Sequence, residues 1–302
     1  MLIWFILALG SAVSNSLTQV IQKWAISAGR LSKISITFLS SLTASSILLV
    51  LSGLVIGIPV IQPGFWLAIF ITSILNAIAF PIMLKAYSLG EFSTVYSMIL
   101  LTPVFLVFTS FIFLGETPSL SGLIGVILTV IGLSVVTLSG HKHTQVPDFK
   151  KGNWLGVLVA LIWSVTVNFD KLSARYADAF FAPAVSFGIL AICFAVYLLI
   201  RHRSLLVRTY KIPEIEEPGP PDGSVRTGLL IVLLLGLSLA LGNILHNSAL
   251  LHGPASYTIA VKRTGVLFGV IWGWLFFKEK NIARKVFGAA IAIGGVVLIL
   301  WS

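Results

Sequence analysis

The chain is written almost entirely in long apolar runs separated by short polar punctuation, at roughly 2–25, 34–56, 65–85, 92–114, 119–139, 153–171, 180–200, 227–250, 255–277 and 283–301. A helix rising 1.5 Å per residue needs about 20 such residues to cross a hydrocarbon core ~30 Å thick. The runs are continuous and do not alternate with period two, so they predict helices and not the strands of a membrane barrel. The expected fold is an all-α integral membrane protein with ten transmembrane helices.

The runs also repeat. Gly90 to Gly132 and Gly253 to Gly295 align without a gap, matching at Gly90/Gly253, Ser93/Ser256, Phe105/Phe268, Phe113/Phe276, Glu116/Glu279, Gly125/Gly288 and Gly132/Gly295. Glu is scarce here, so its recurrence at one register weighs more than the glycines. The same offset carries spans four and five onto nine and ten. More weakly, Ala12/Ala160, Ser16/Ser164 and Lys23/Lys171 align the opening helices. A polar linker at 140–152 then divides the chain into five-helix repeats at 1–139 and 153–302. Five is odd, so the second copy is expected upside down relative to the first. Two inverted five-helix repeats place a binding site near the midplane between them and expose it alternately by rocking.

Composition agrees with the membrane reading: 10% of residues are charged and 57% hydrophobic, with a mean hydropathy of +1.03, where a soluble chain is about one quarter charged. The net charge of +10 would suggest nucleic acid in a soluble domain, but here the cations flank helices, as the positive-inside rule requires. Placing both termini outside puts Arg30, Lys33, Lys85, Lys142, Lys150, Lys151, Arg201, Arg203, Arg208, Lys211, Arg226, Lys278, Lys280, Arg284 and Lys285 in inner loops, leaving Lys171 and Arg175 outside. The first span lacks a basic leader and carries Asn15 and Gln19, so it reads as a retained helix. Cys193 is the sole cysteine, which excludes an intrachain disulfide and a cysteine-based metal site. The Pro/Gly-rich stretch from Arg201 to Arg226 reads as a flexible connector.

Phe113-Leu114-Gly115-Glu116 with Gly125 and Gly132, and Phe276-Phe277-Lys278-Glu279 with Gly288 and Gly295, resemble the end of an EamA-type repeat in the drug/metabolite transporter superfamily. Pro103 fits the first repeat's pattern, while Val266 stands in its place in the second. The resemblance implies a ten-helix carrier of small metabolites in a bacterial inner membrane, often an exporter. It also implies cytoplasmic termini, against the loop charges. Read physically, the two Glu residues are expected to cap the helix that follows each of them, and the glycines to permit close helix approach.

Polar side chains at mid-depth mark the candidate site, because an amide or charge facing lipid is costly. Counted from the turn at Gly253, Lys262 and Asn243 both lie ~14 Å deep, and Asn76 and Trp163 reach a similar level. Asn243, His246 and Asn247 share one face of span eight; Asn15, Gln19 and Gln22 form a stripe on span one. Arg263 follows Lys262 at about 100° around the helix, so one of the pair is expected inside and the other toward a neighbouring helix or the surface. A buried cation without a carboxylate at its level calls for an anionic substrate group or water. Asp170 reads as lying nearer a membrane end. His246 is a candidate proton relay, and Tyr257, near a turn, a candidate interface anchor. Pro103, behind Thr102, is expected to kink span four.

The sequence carries no P-loop, HExxH, GxSxG or dinucleotide fingerprint, and no cofactor or metal is expected. The expected activity is secondary active transport of a small polar metabolite, with membrane lipid as its surroundings. Two alternatives stay open: a flippase for a lipid-linked sugar or phospholipid headgroup, and an integral membrane enzyme, which the small supply of intramembrane carboxylates disfavours. Substrate, coupling ion and oligomeric state are not legible at this level.

Overall fold

In a computed structural model, described over residues 2–27, 33–90, 92–138, 148–207, 225–268 and 282–302, the described parts of the apolar runs are helical apart from short breaks. The helices are α1 (Leu2–Ser27), α2 (Lys33–Val55), α3 (Phe65–Leu89), α4 (Phe92–Ile99), α5 (Thr102–Leu114), α6 (Leu120–Leu138), α7 (Phe149–Tyr176), α8 (Phe181–Val207), α9 (Val225–His252), α10 (Ala255–Arg263) and α11 (Ile282–Leu300). Eight stretches, with α4 and α5 taken together, are long and apolar enough to cross a membrane. This is an all-helical membrane protein.

Packing follows an exchange of halves. α3 lies along α7 while α1 lies along α9; α2 packs on α8, and α6 makes its most extensive contact with α11. The α6/α11 contact shows how the exchange works. A Cβ placed on Gly125 would come within 2.6 Å of the Gly295 carbonyl, and one on Gly288 within 2.7 Å of the Gly132 carbonyl. Gly125 is the repeat equivalent of Gly288 and Gly295 that of Gly132, so the two contacts are equivalent to each other and the two helices run antiparallel about a local twofold axis. Thr129 and Ala292, equivalent at the same offset, sit on that axis, with the Thr129 hydroxyl 3.5 Å from the Ala292 carbonyl. Glycine is required here because the backbones are in contact, and van der Waals packing at such small-residue stripes is what holds membrane helices together.

Span four is broken at the expected place. α4 ends at Ile99 and α5 begins at Thr102, with Pro103 in its first turn and the Thr102 hydroxyl donating to the Ile99 carbonyl at 2.6 Å. The register repeats in span nine without a proline: α10 ends at Arg263, the Thr264 hydroxyl donates to the Val261 carbonyl at 2.6 Å, and helix resumes at 265. A threonine hydroxyl that takes the carbonyl three residues back offers the backbone an alternative to the helical ladder. In each half, therefore, a hydroxyl accompanies the break.

Two expectations about the helix ends need correction. α7 does not stop at Lys171 but runs to Tyr176, so Lys171 and Arg175 are helical and not loop residues. Tyr257 is not a surface anchor: it is buried, accepts a hydrogen bond from the Ser119 amide at 3.1 Å, and lies 6.5 Å from the Trp4 ring. Its hydroxyl occupies the space a Cβ on Gly122 would need. The basic loops centred on 142, 211 and 278, the Arg201 to Arg226 connector and Glu279 lie outside the residues or side chains described.

Candidate functional site

The site is built around the break in α10. This helix touches α1, α5, α6, α7, α9 and α11, so it has neighbours on every side and no face of its own for lipid. From Ala255 to Val261 every residue is buried; Lys262 and Arg263 are half-buried, and Thr264 and Gly265 are buried again. Cations that regain exposure at the centre of a packed bundle open onto interior space, where water or a polar guest can reach them.

Neither cation points to the surface: Arg263 reaches two neighbouring helices and Lys262 lies within Coulomb reach of Asp170. Arg263 lays its guanidinium 5.4 Å from the centroid of the Trp163 ring on α7 and donates to the Thr102 hydroxyl on α5 at 3.3 Å. That contact joins the break of one half to the break of the other. The cation–π contact is attractive electrostatically and anchors the guanidinium over the indole. Phe80 of α3 meets Trp163 edge-on at 6.3 Å, holding the indole upright. Lys262 makes no hydrogen bond or ion pair with a described residue and lies within Coulomb reach of Asp170 and Arg263. Both cations are also within Coulomb reach of His246 on α9.

Asp170 is the residue that sequence reasoning set aside. Because α7 continues past it, Asp170 lies well inside the helix, half-buried, accepting a 2.5 Å hydrogen bond from Thr72 of α3. The signal was available: Asp170 is an acidic residue within a long apolar run. It was discounted because Lys171 beside it looked like a helix end. Lys171 has a different explanation, a buried ion pair with Glu116.

The other predicted residues divide by what they touch. His246 is buried with its Nδ1 unpartnered. Asn247 is buried and Asn243 half-buried, and each donates its amide to the carbonyl four residues back, to Asn243 and Leu239 respectively, at 2.9 Å. One of the two N–H donors of each amide is thus used locally. Asn76 is half-buried on α3, four residues and about one helical turn from Thr72. Asn15 is half-buried and Gln19 exposed on a face of α1 distinct from Ser14 and Thr18, which bond Ser238 of α9. The structure thus brings Trp163, His246, Lys262 and Arg263 together, and shows no direct contact of Asn15, Gln19 or Asn76 with them. The side chain of Gln22 lies outside those described.

A second polar cluster closes one end of the bundle. Glu116 does not cap α6, as expected; one carboxylate oxygen accepts from Lys171 at 2.5 Å and the other from the Ala255 amide at 2.8 Å. Gly115, in the left-handed conformation at φ 67°, ends α5 just before this residue. The Lys171 ammonium also donates to the Gly253 carbonyl at 2.6 Å. Side chains of Lys171 and Glu116 are only 3% and 14% exposed. Glu116 serves a helix N-terminus after all, but that of α10, whose far end carries the cations. Trp4 donating to Thr258 at 2.7 Å and the Gln62 amide to the Tyr176 carbonyl at 2.8 Å tie the same end.

Comparison with known proteins agrees with this architecture. A solved crystal structure superposes with a TM-score of 0.75 over 98% of this chain and 95% of that chain, at 16% identity, a likeness of fold. An uncharacterized transporter of Methanothermobacter thermautotrophicus is 21% identical over 245 residues, which are 80% of this chain and 66% of that protein. The model of the EamA-like transporter family matches residues 2–138 and 150–301. The chain belongs to the EamA-like transporter family.

Proposed function

We propose that the protein is a secondary carrier that moves a small polar metabolite across the membrane by alternating access, with the substrate held between the two halves beside Lys262 and Arg263. One observation carries this reading: the broken helices α4/α5 and α10 meet at their breaks, through Arg263 and Thr102, where two cations stand half-exposed inside the bundle. Discontinuous helices that place charge at mid-membrane are the usual way a carrier builds a site. The repeat units at 1–139 and 153–302, joined by 140–152, are the bodies that rock. The α6/α11 stripe, lying on the local axis, is the natural pivot.

The export direction and the bacterial inner membrane rest on the resemblance alone. His246, buried and close to both cations, is the candidate for a proton coupled to transport. The enclosure of α10 by other helices supports a carrier over a flippase, whose headgroup path must open to lipid. The test is transport by purified protein in sealed vesicles, using the solute whose level differs most between cells with and without the protein. Movement without ATP supports the reading; chemical turnover of that solute, with no transport, overturns it in favour of an enzyme.

A further inference from the structure

We infer that the site between α7 and α10 selects an organic anion carrying a single negative charge, with its carboxylate bridging Arg263 and Lys262. The inference rests on the carrier reading and names its substrate class. Three observations support it together. Arg263 has five donors in a planar fork, and only one is engaged by a described residue, at the long distance of 3.3 Å. The cation–π contact with Trp163 holds the guanidinium without using its N–H donors, so the donors not given to Thr102 are left for a carboxylate, which Arg pairs in bidentate fashion. Lys262 has no hydrogen-bonded partner among the described residues, and the buried Nδ1 of His246 beside it is also unpartnered.

The charge count narrows the class. Lys262 and Arg263 contribute two positive charges and Asp170, within Coulomb reach of Lys262, one negative. Asp170 is itself held by Thr72, so it stays in place to neutralise one cation. A net single positive charge remains, and inside a membrane an uncompensated charge is expensive. One negative charge balances it. A second overshoots, which favours a carboxylate over a phosphate monoester carrying between one and a half and two charges at neutral pH, roughly. Charged and polar groups around this space include Thr72 and Tyr87 of α3, Thr102 of α5, Asp170 of α7 and His246 of α9, beside Lys262 and Arg263.

The experiment measures thermal stabilisation of the purified full-length protein in detergent by probes of one skeleton and different charge: benzamide, benzoate, phthalate and benzylammonium, with acetate and malonate as a smaller pair. A ligand that binds the folded state raises the midpoint in proportion to its affinity. The expected result is a dissociation constant for the monoanion of at least one skeleton about tenfold below that of its dianion, with no stabilisation by benzamide or benzylammonium. Arg263→Gln should abolish it. Asp170→Asn, which keeps the acceptor for Thr72 while raising the site to two positive charges, should reverse the order and favour the dianion. Preference for the neutral or cationic probe, an order unchanged by Asp170→Asn, or no stabilisation by any probe overturns the inference. Vesicle transport of a neutral or cationic metabolite would overturn it too, while leaving the carrier reading intact.

Discussion

Thr129 and Ala292 face each other across the antiparallel pair α6 and α11, hydroxyl to carbonyl at 3.5 Å, and each is the other's counterpart in the repeat. A residue that meets its own equivalent lies on a symmetry axis. Around it, Gly125 meets Gly295 and Gly132 meets Gly288, so the contact reads the same from either half. Duplication in sequence has become a twofold in space.

This stripe gives the first prediction. A Cβ on Gly132 would fall 2.3 Å from the Ala292 amide nitrogen, whereas one on Gly294 meets nothing within 4 Å. Gly132→Ala should therefore force the two backbones apart and cost about 1–3 kcal/mol, while Gly294→Ala should be nearly neutral. Thermal unfolding of the two purified variants checks the difference. Equal midpoints would mean that the backbones are not in contact.

The second prediction concerns the closed end. Removing one partner of a buried ion pair leaves the other uncompensated, at a cost of about 3–5 kcal/mol. Glu116→Gln should keep a bond to the Ala255 amide yet lose that to the ammonium, loosening the tie between α5, α7 and the start of α10. Lys171→Met should do the same from the other partner, and the double variant should be less impaired than the sum of the two. Additive losses in a double-mutant cycle would show that the residues do not act as a pair.

Orientation supplies the third. Loop charge puts the end closed by Glu116 and Lys171 outside and the basic connector at 201–226 inside. A reporter fused after Ser302 should be exposed outside the cytoplasm and one inserted in that connector should be cytoplasmic. The opposite pattern would restore the cytoplasmic termini that the family resemblance implies.

The fourth prediction separates the site from the scaffold. Lys262→Met keeps most of the side-chain volume and Arg263→Lys keeps the charge but not the planar fork of donors beside Trp163. Each should reduce transport at least tenfold with a smaller effect on thermal stability; Lys150→Met, exposed at the start of α7, should change neither. Wild-type transport by both site variants would remove the two cations from the mechanism.

The helices and the break in span four were legible because their causes are local: apolar length, and a proline that lacks an amide. So was the glycine stripe, since its register repeats. The polar contacts were harder to read. Glu116 looked like a cap for α6 because that helix is next in the chain, but its partner amide lies 139 residues away on α10. Asp170, expected nearer a membrane end, stands one residue before Lys171, and only the fold shows that Lys171 is helical and paired with Glu116. The inward turn of Arg263 likewise depends on Trp163, supplied by a distant helix. Gly294, one position around the helix from the packing residue Gly295, has nothing within 4 Å of a Cβ.

The central claim is that the space beside Lys262 and Arg263 opens to both sides of the membrane in turn. It is tested most directly by a single cysteine at Asn243, which is half-buried on α9, in a Cys193→Ser background. Sealed vesicles of known orientation are treated with a membrane-impermeant thiol reagent added to one side or the other. The account predicts labelling from both sides at different rates, with Glu116→Gln raising the rate from the side closed by the Glu116–Lys171 pair. Labelling from one side only, at a rate that Glu116→Gln does not change, or none from either side, would contradict alternating access at this site.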